Sequence, residues 1–179
     1  MTSEARTGYI FHWQNLGDIA SGRPNLGNST HVAVYRLMQY TMREVLATRY
    51  GAETASAVLR EAGKLAGTEF CKNVLTPDLD FNGFIAELQD QLRALNVGIL
   101  RVEKADLESL ELVLTVSEDL DCSGLPITDE TVCEYDEGFL AGVLHVYTGK
   151  EFHVREVDCW ASGERTCRFV AKPLGERFL

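Results

Sequence analysis

The chain has 179 residues, 45% of them hydrophobic and 25% charged, which is typical of a single globular domain with its own core. Its formal net charge is −10, with 17 basic residues scattered among 27 acidic ones. This balance argues against binding to nucleic acid or to an anionic membrane surface. No apolar run approaches the roughly 20 residues that span a bilayer, and no secretory signal opens the sequence, so we expect a cytoplasmic location with reduced thiols.

Closely spaced glycine, proline and asparagine residues predict an irregular segment over residues 1–27, in which 9–13 (YIFHW) has the composition of a short strand. Three helices are predicted over 28–95, the first ending at Gly51 and the third carrying an apolar stripe. The middle helix contains Gly63 and Gly67, each of which weakens a helix by up to ~1 kcal/mol relative to alanine. Close packing against another backbone is the favoured compensation, and a ligand cleft is the alternative.

β-rich runs then predict a hairpin over 97–117, and 119–126 (DLDCSGLP) reads as a loop. A helix is expected over 131–148, stopped by Gly149, and a second hairpin over 151–172. This order predicts an α+β fold, in which an antiparallel sheet from two hairpins packs against about four helices, as one domain over 28–175.

The second hairpin places Cys159 and Cys167 on either side of a turn centred on Gly163. Opposite residues in such a pair have Cα atoms ~4.5–5.5 Å apart, within reach of a disulfide or of one metal ion. A reducing location and an odd number of cysteines make the disulfide less favoured. Cys133 and Glu156 are further candidate ligands, although Glu156 needs a bulge or a bend to converge with Cys159. The alternative is a group of buried, unliganded cysteines.

Three runs carry the most specific pattern: 133–144 (CEYDEGFLAGVL), 148–156 (TGKEFHVRE) and 159–169 (CWASGERTCRF). Together they resemble the 4-vinyl reductase domain family, strongly over the C-terminal third of the chain. That family is similar in fold to a subunit of the vesicle transport-particle complex. Its aromatic-sensing members hold a zinc ion with three cysteines and one glutamate.

The resemblance implies a zinc ion held by Cys133, Glu156, Cys159 and Cys167. Four protein ligands close the coordination shell, which is typical of a structural rather than a catalytic zinc. Cys71 and Cys122 match nothing in the motif, and Cys122 is interpreted as an ordinary loop residue.

No catalytic or nucleotide-binding signature is present, so an enzyme is the less favoured interpretation. We expect a zinc-stabilised sensor or carrier domain for a hydrophobic or aromatic small molecule, which signals through a partner or as a homodimer. The candidate pocket residues are Tyr35, Phe81, Phe84, Leu88 and Phe139. For any one of them, a plain core position is the simpler interpretation.

Phenol-sensing relatives grip the ligand hydroxyl with a histidine and a tryptophan that precede the first zinc cysteine. This chain has no histidine between His31 and His145, and no tryptophan between Trp13 and Trp160. That grip is therefore not carried over. The alternative function is an enzyme or accessory subunit in tetrapyrrole vinyl reduction, or a tetrapyrrole-binding protein.

Overall fold

A computed structural model describes residues 10–175 of the chain. It divides into two units, residues 1–30 and 31–179. In the first unit, Trp13–Leu16 form a 3-10 turn and Ile19–Gly22 form a short helix, α1. The strand predicted at 9–13 is wrong for Ile10–Trp13, because His12 and Asn15 bond to each other in a local turn. Residue 9 lies outside the described residues.

The second unit contains four long helices at the positions expected from the sequence. They are α2 (Val32–Tyr50), α3 (Ala52–Val74), α4 (Phe81–Ala94) and α5 (Glu134–Thr148). Gly51 separates α2 from α3 with φ of 88°, and Gly149 ends α5 in the left-handed conformation. The Asp80 carboxylate caps α4 by accepting a 2.8 Å hydrogen bond from the Gly83 N–H.

A four-stranded antiparallel sheet completes this unit. Its strands are β1 (Ile99–Asp106), β2 (Glu111–Ser117), β3 (Phe152–Asp158) and β4 (Cys167–Pro173), in the order β1-β2-β4-β3. Alternate residues of β2, β3 and β4 are buried, as expected for a sheet with one face on the core. The predicted α+β fold is confirmed, including both hairpins.

The pairing of β3 with β4 shifts register between Glu156 and Asp158. Glu156 and Cys159 are both buried, whereas Val157 between them is exposed. The bulge that these two residues need in order to converge is therefore present.

Helix α5 packs closely on α3 through two pairs of glycines. A Cβ atom on Gly63 or Gly67 would overlap backbone of α5, and one on Gly138 or Gly142 would overlap backbone of α3. The favoured explanation for the glycines of the middle helix, close backbone packing, is confirmed. This contact fixes the position of α5, which supplies residues to both sites described below. Among the described residues, no helix has the length and apolar character needed to cross a membrane.

Candidate functional site

Four buried cysteines meet where β3, β4, α5 and the loop after β2 come together. They are Cys122, Cys133, Cys159 and Cys167, and their sulfur atoms all lie within 4.8 Å of one another. The Cys133 sulfur is 3.8 Å from that of Cys159 and 3.9 Å from that of Cys167, and the Cys122 and Cys167 sulfurs are 3.1 Å apart.

Local hydrogen bonds hold each cysteine in place. The Asp119 carboxylate accepts bonds from the N–H groups of Asp121 (2.7 Å) and Cys122 (3.2 Å), which folds the loop so that Cys122 points inward. The Cys159 N–H donates to the Ser162 hydroxyl at 3.0 Å, in the turn between β3 and β4. Cys167 begins β4, opposite Val116 of β2.

The geometry of this cluster fits a metal ion that prefers sulfur ligands. Zinc bound at ~2.3 Å by four thiolates in a tetrahedron requires sulfur–sulfur separations of about 3.8 Å. Two of the separations given above have this value. Hydrogen bonds from the other three thiols lower the pKa of Cys159, so a thiolate is favoured inside the cluster. The four cysteines can therefore hold a metal ion such as zinc.

Glu156 lies beside the cluster and is 3% exposed. Its Oε2 accepts a 3.1 Å hydrogen bond from the Cys133 N–H, whereas its Oε1 is buried without a hydrogen-bond partner in the described chain. Burial, then the negative charge at Cys159, raises the pKa of Glu156 to about 8. The Glu156 carboxylate thus supports Cys133 from behind, and its role as a metal ligand stays a prediction.

Cys122 is the member of the cluster that the sequence motif did not include. It lies in a loop with no periodic pattern, and the sulfurs that it joins are 11 or more residues away along the chain. Its residue type was the only signal, since reduced buried cysteines are often metal ligands. The fifth cysteine, Cys71, lies in α3 outside the cluster, and burial raises its pKa to about 11.

A cavity of about 190 Å³ lies next to the cluster, among α2, α3, α4 and α5. Its apolar wall consists of Phe70, Leu92, Leu95, Val97, Leu120 and Phe139. Its polar groups are those of Tyr35, Asp121, Tyr135 and Asp136.

Two of the five candidate pocket residues, Tyr35 and Phe139, line this cavity. Phe81, Phe84 and Leu88 are not brought to it, because the cavity meets the C-terminal end of α4 rather than its first turns. The Phe84 ring instead stacks on that of Tyr147, with centroids 4.0 Å apart.

Carboxylates dominate the polar end of the cavity. Asp121 accepts hydrogen bonds from the Tyr35 hydroxyl (2.8 Å) and the Gln39 amide (2.6 Å). The Oδ2 atom of Asp136 is buried and has no hydrogen-bond partner in the described part of the chain. Burial, then the charge of Asp121, raises the pKa of Asp136. In the same way, burial and then Asp121 raise the pKa of nearby Asp119 to about 7.

The inner face of α2 holds the loop that joins the cavity to the cysteine cluster. The Arg36 guanidinium donates to the carbonyl oxygens of Leu120 (2.7 Å) and Ser123 (2.9 Å), and the Tyr40 hydroxyl to that of Asp121 (3.0 Å). The opposite face of α2 is apolar and exposed; it consists of Val34, Leu37, Met38, Met42 and Val45. Movement of the loop would therefore be transmitted to a helix with a free apolar surface.

Residues 112–173 match the family model of the 4-vinyl reductase domain. An uncharacterized protein of Methanocaldococcus jannaschii is 22% identical over 162 residues, which cover 89% of this chain and 87% of that protein. A vinyl-4-reductase family protein from the same organism superposes with a TM-score of 0.61 and 19% identity, over 94% of this chain and 100% of the other.

Two further solved structures share the fold. The phenol-responsive sensory domain of the transcription activator PoxR, in a structure with phenol, gives a TM-score of 0.65 at 17% identity, over 85% of this chain and 79% of that one. Trafficking protein particle complex subunit 3 from Naegleria fowleri, covalently bound to palmitic acid, gives 0.64 at 9% identity, over 80% and 95%. The resemblance expected from the cysteine motif is thus confirmed, and this chain carries a 4-vinyl reductase domain over residues 112–173.

Proposed function

We propose that this protein is a sensor domain that binds a hydrophobic or aromatic small molecule in the cavity among α2–α5. The observation that carries the proposal is the position of this cavity, which shares the 119–123 loop with both the cysteine cluster and α2. Occupation of the cavity can therefore alter the contacts of α2. The fold shared with a phenol-responsive sensory domain supports the same role.

The size and wall of the cavity favour a compact ligand. An apolar cavity of about 150 Å³ is known to hold benzene, so about 190 Å³ suits one aromatic ring with a short substituent. Phe70 and Phe139, whose ring centroids are 5.3 Å apart, offer aromatic surface to such a ring.

The test is a binding panel of single-ring aromatics, read as the shift of the melting temperature, with native mass spectrometry of the purified protein to detect any ligand carried along. An absorbance scan of the same sample would reveal a bound tetrapyrrole. Val97→Phe fills the cavity and should abolish the shift. Leu107→Phe, the same kind of enlargement at an exposed position between β1 and β2, should leave it intact. Equal shifts in both variants would place the ligand elsewhere and contradict the proposal.

The proposed metal is zinc in a structural role, bound by Cys133, Cys159 and Cys167 together with a fourth ligand. Between the two candidates for that position, the geometry favours Cys122, because its sulfur is within the cluster while the Glu156 carboxylate accepts the Cys133 N–H. The ion would join α5, the β3–β4 hairpin and the loop after β2.

The exposed face of α2 supports a homodimer. Leu37 is 67% exposed and Met38 58%, and their apolar neighbours extend the stripe along the helix. A second copy of the same face would cover this stripe from solvent. In such a dimer, the helix that contacts the loop beside the cavity would also contact the partner.

A further inference from the structure

The chemistry at the polar end of the cavity indicates the ligand class. Its two acidic side chains, Asp121 and Asp136, can only accept hydrogen bonds when ionised. The described residues that line the cavity include no lysine, arginine or histidine. A ligand that enters this space therefore meets carboxylates that no lining cation balances.

Asp121 has two donors from α2, one for each carboxylate oxygen. Asp136 differs, because its Oδ2 is buried and no described group donates to it. An unpaired buried acceptor is costly, so a donor supplied by a bound ligand would be strongly favoured there. The Gln39 Oε1 atom, close to Asp121, is a second buried acceptor without a described partner.

We propose that the cavity selects a compact aromatic or hydrophobic amine, whose ammonium group binds at Asp136 and Asp121 while its apolar part lies against Phe70 and Phe139. An ammonium group supplies three donors and one positive charge, which are the two properties that this end of the cavity lacks. A phenol or alcohol would supply one donor and no charge. A carboxylate would be repelled. This inference rests on the proposed small-molecule function and names the class of ligand.

The test is calorimetric titration of the full chain with 2-phenylethylamine, 2-phenylethanol and phenylacetate, which share one ring and differ in the polar group. We expect the amine to bind about tenfold or more tightly than the alcohol, and phenylacetate to give no measurable binding. Asp136→Asn keeps the shape of the side chain and should reduce amine affinity to that of the alcohol. Asp90→Asn, the same change at an exposed position on α4, should have no effect.

The outcomes separate this inference from the function on which it rests. Binding of the alcohol as tightly as the amine would overturn the amine preference and leave a ligand-binding cavity in place. Unchanged amine affinity in a folded Asp136→Asn would also overturn the preference. The absence of binding by all three probes would count against both proposals. The comparison of the three probes on the wild-type protein stays decisive even if Asp136→Asn does not fold.

Discussion

Asp121 and Cys122 are adjacent in the chain, yet they belong to two different sites. The Asp121 side chain lines the cavity, whereas the Cys122 sulfur lies 3.1 Å from that of Cys167 in the cysteine cluster. The carboxylate of Asp119 fixes both residues by accepting their backbone N–H groups. A change of position at one site must therefore displace the other.

Removal of the metal should accordingly weaken ligand binding. With no ion to hold Cys122, the loop that presents Asp121 is less constrained, and part of the binding free energy is spent on ordering it. We expect chelation to lower the affinity for the best aromatic ligand by about fivefold or more, which is in the usual range of coupling between two sites. By thermodynamic linkage, ligand should slow metal loss to the chelator. Equal affinities with and without metal would contradict the coupling.

The ligand assignment can be tested by single substitutions at the cluster. Cys122→Ser and Cys159→Ser should each lower the zinc content of the purified protein, measured by elemental analysis, because serine is a poor zinc ligand. Cys71→Ser, a buried cysteine outside the cluster, should keep the full content. Glu156→Gln should keep most of it if Cys122 is the fourth ligand.

The opposite pattern for the last pair, loss of zinc in Glu156→Gln and retention in Cys122→Ser, would assign the fourth position to Glu156. Cobalt substitution would support the distinction, since absorption from sulfur-to-metal charge transfer increases with the number of thiolates. Full zinc in Cys159→Ser would refute a metal site altogether.

Features that depend on local sequence pattern were predictable, and those that depend on loop conformation were not. Helices α2–α5 and both hairpins follow from periodicity and from glycine signals such as Gly51 and Gly149. Cys122 and Asp121 could not be placed, because their positions depend on how Asp119 folds the loop and on how α2 binds it. The expected pocket followed the apolar stripe of α4, whereas the close contact of α3 with α5 set where the cavity opens.

That contact makes a strong prediction about stability. Gly67→Ala should destabilise the protein by about 1–3 kcal/mol, since the new methyl group would overlap the backbone of Phe139 and force α3 and α5 apart. The measurement is chemical denaturation. Elsewhere in a helix the same substitution is commonly stabilising, so Gly22→Ala in α1, which has no atoms within 4 Å of the new Cβ, is the control. A stability equal to that of the wild type would mean that the helices are not in contact there.

The exposed face of α2 predicts how the protein assembles. Leu37→Glu should convert a dimer to a monomer in multi-angle light scattering, because it places a charge in the centre of an apolar interface where it would be buried without a partner. Leu107→Glu makes the same change at an exposed turn residue and should leave the dimer intact. If Leu37→Glu is also dimeric, the interface lies on another surface. If the wild-type protein is a monomer at micromolar concentration, the face of α2 is free to contact a different protein, and the homodimer is refuted.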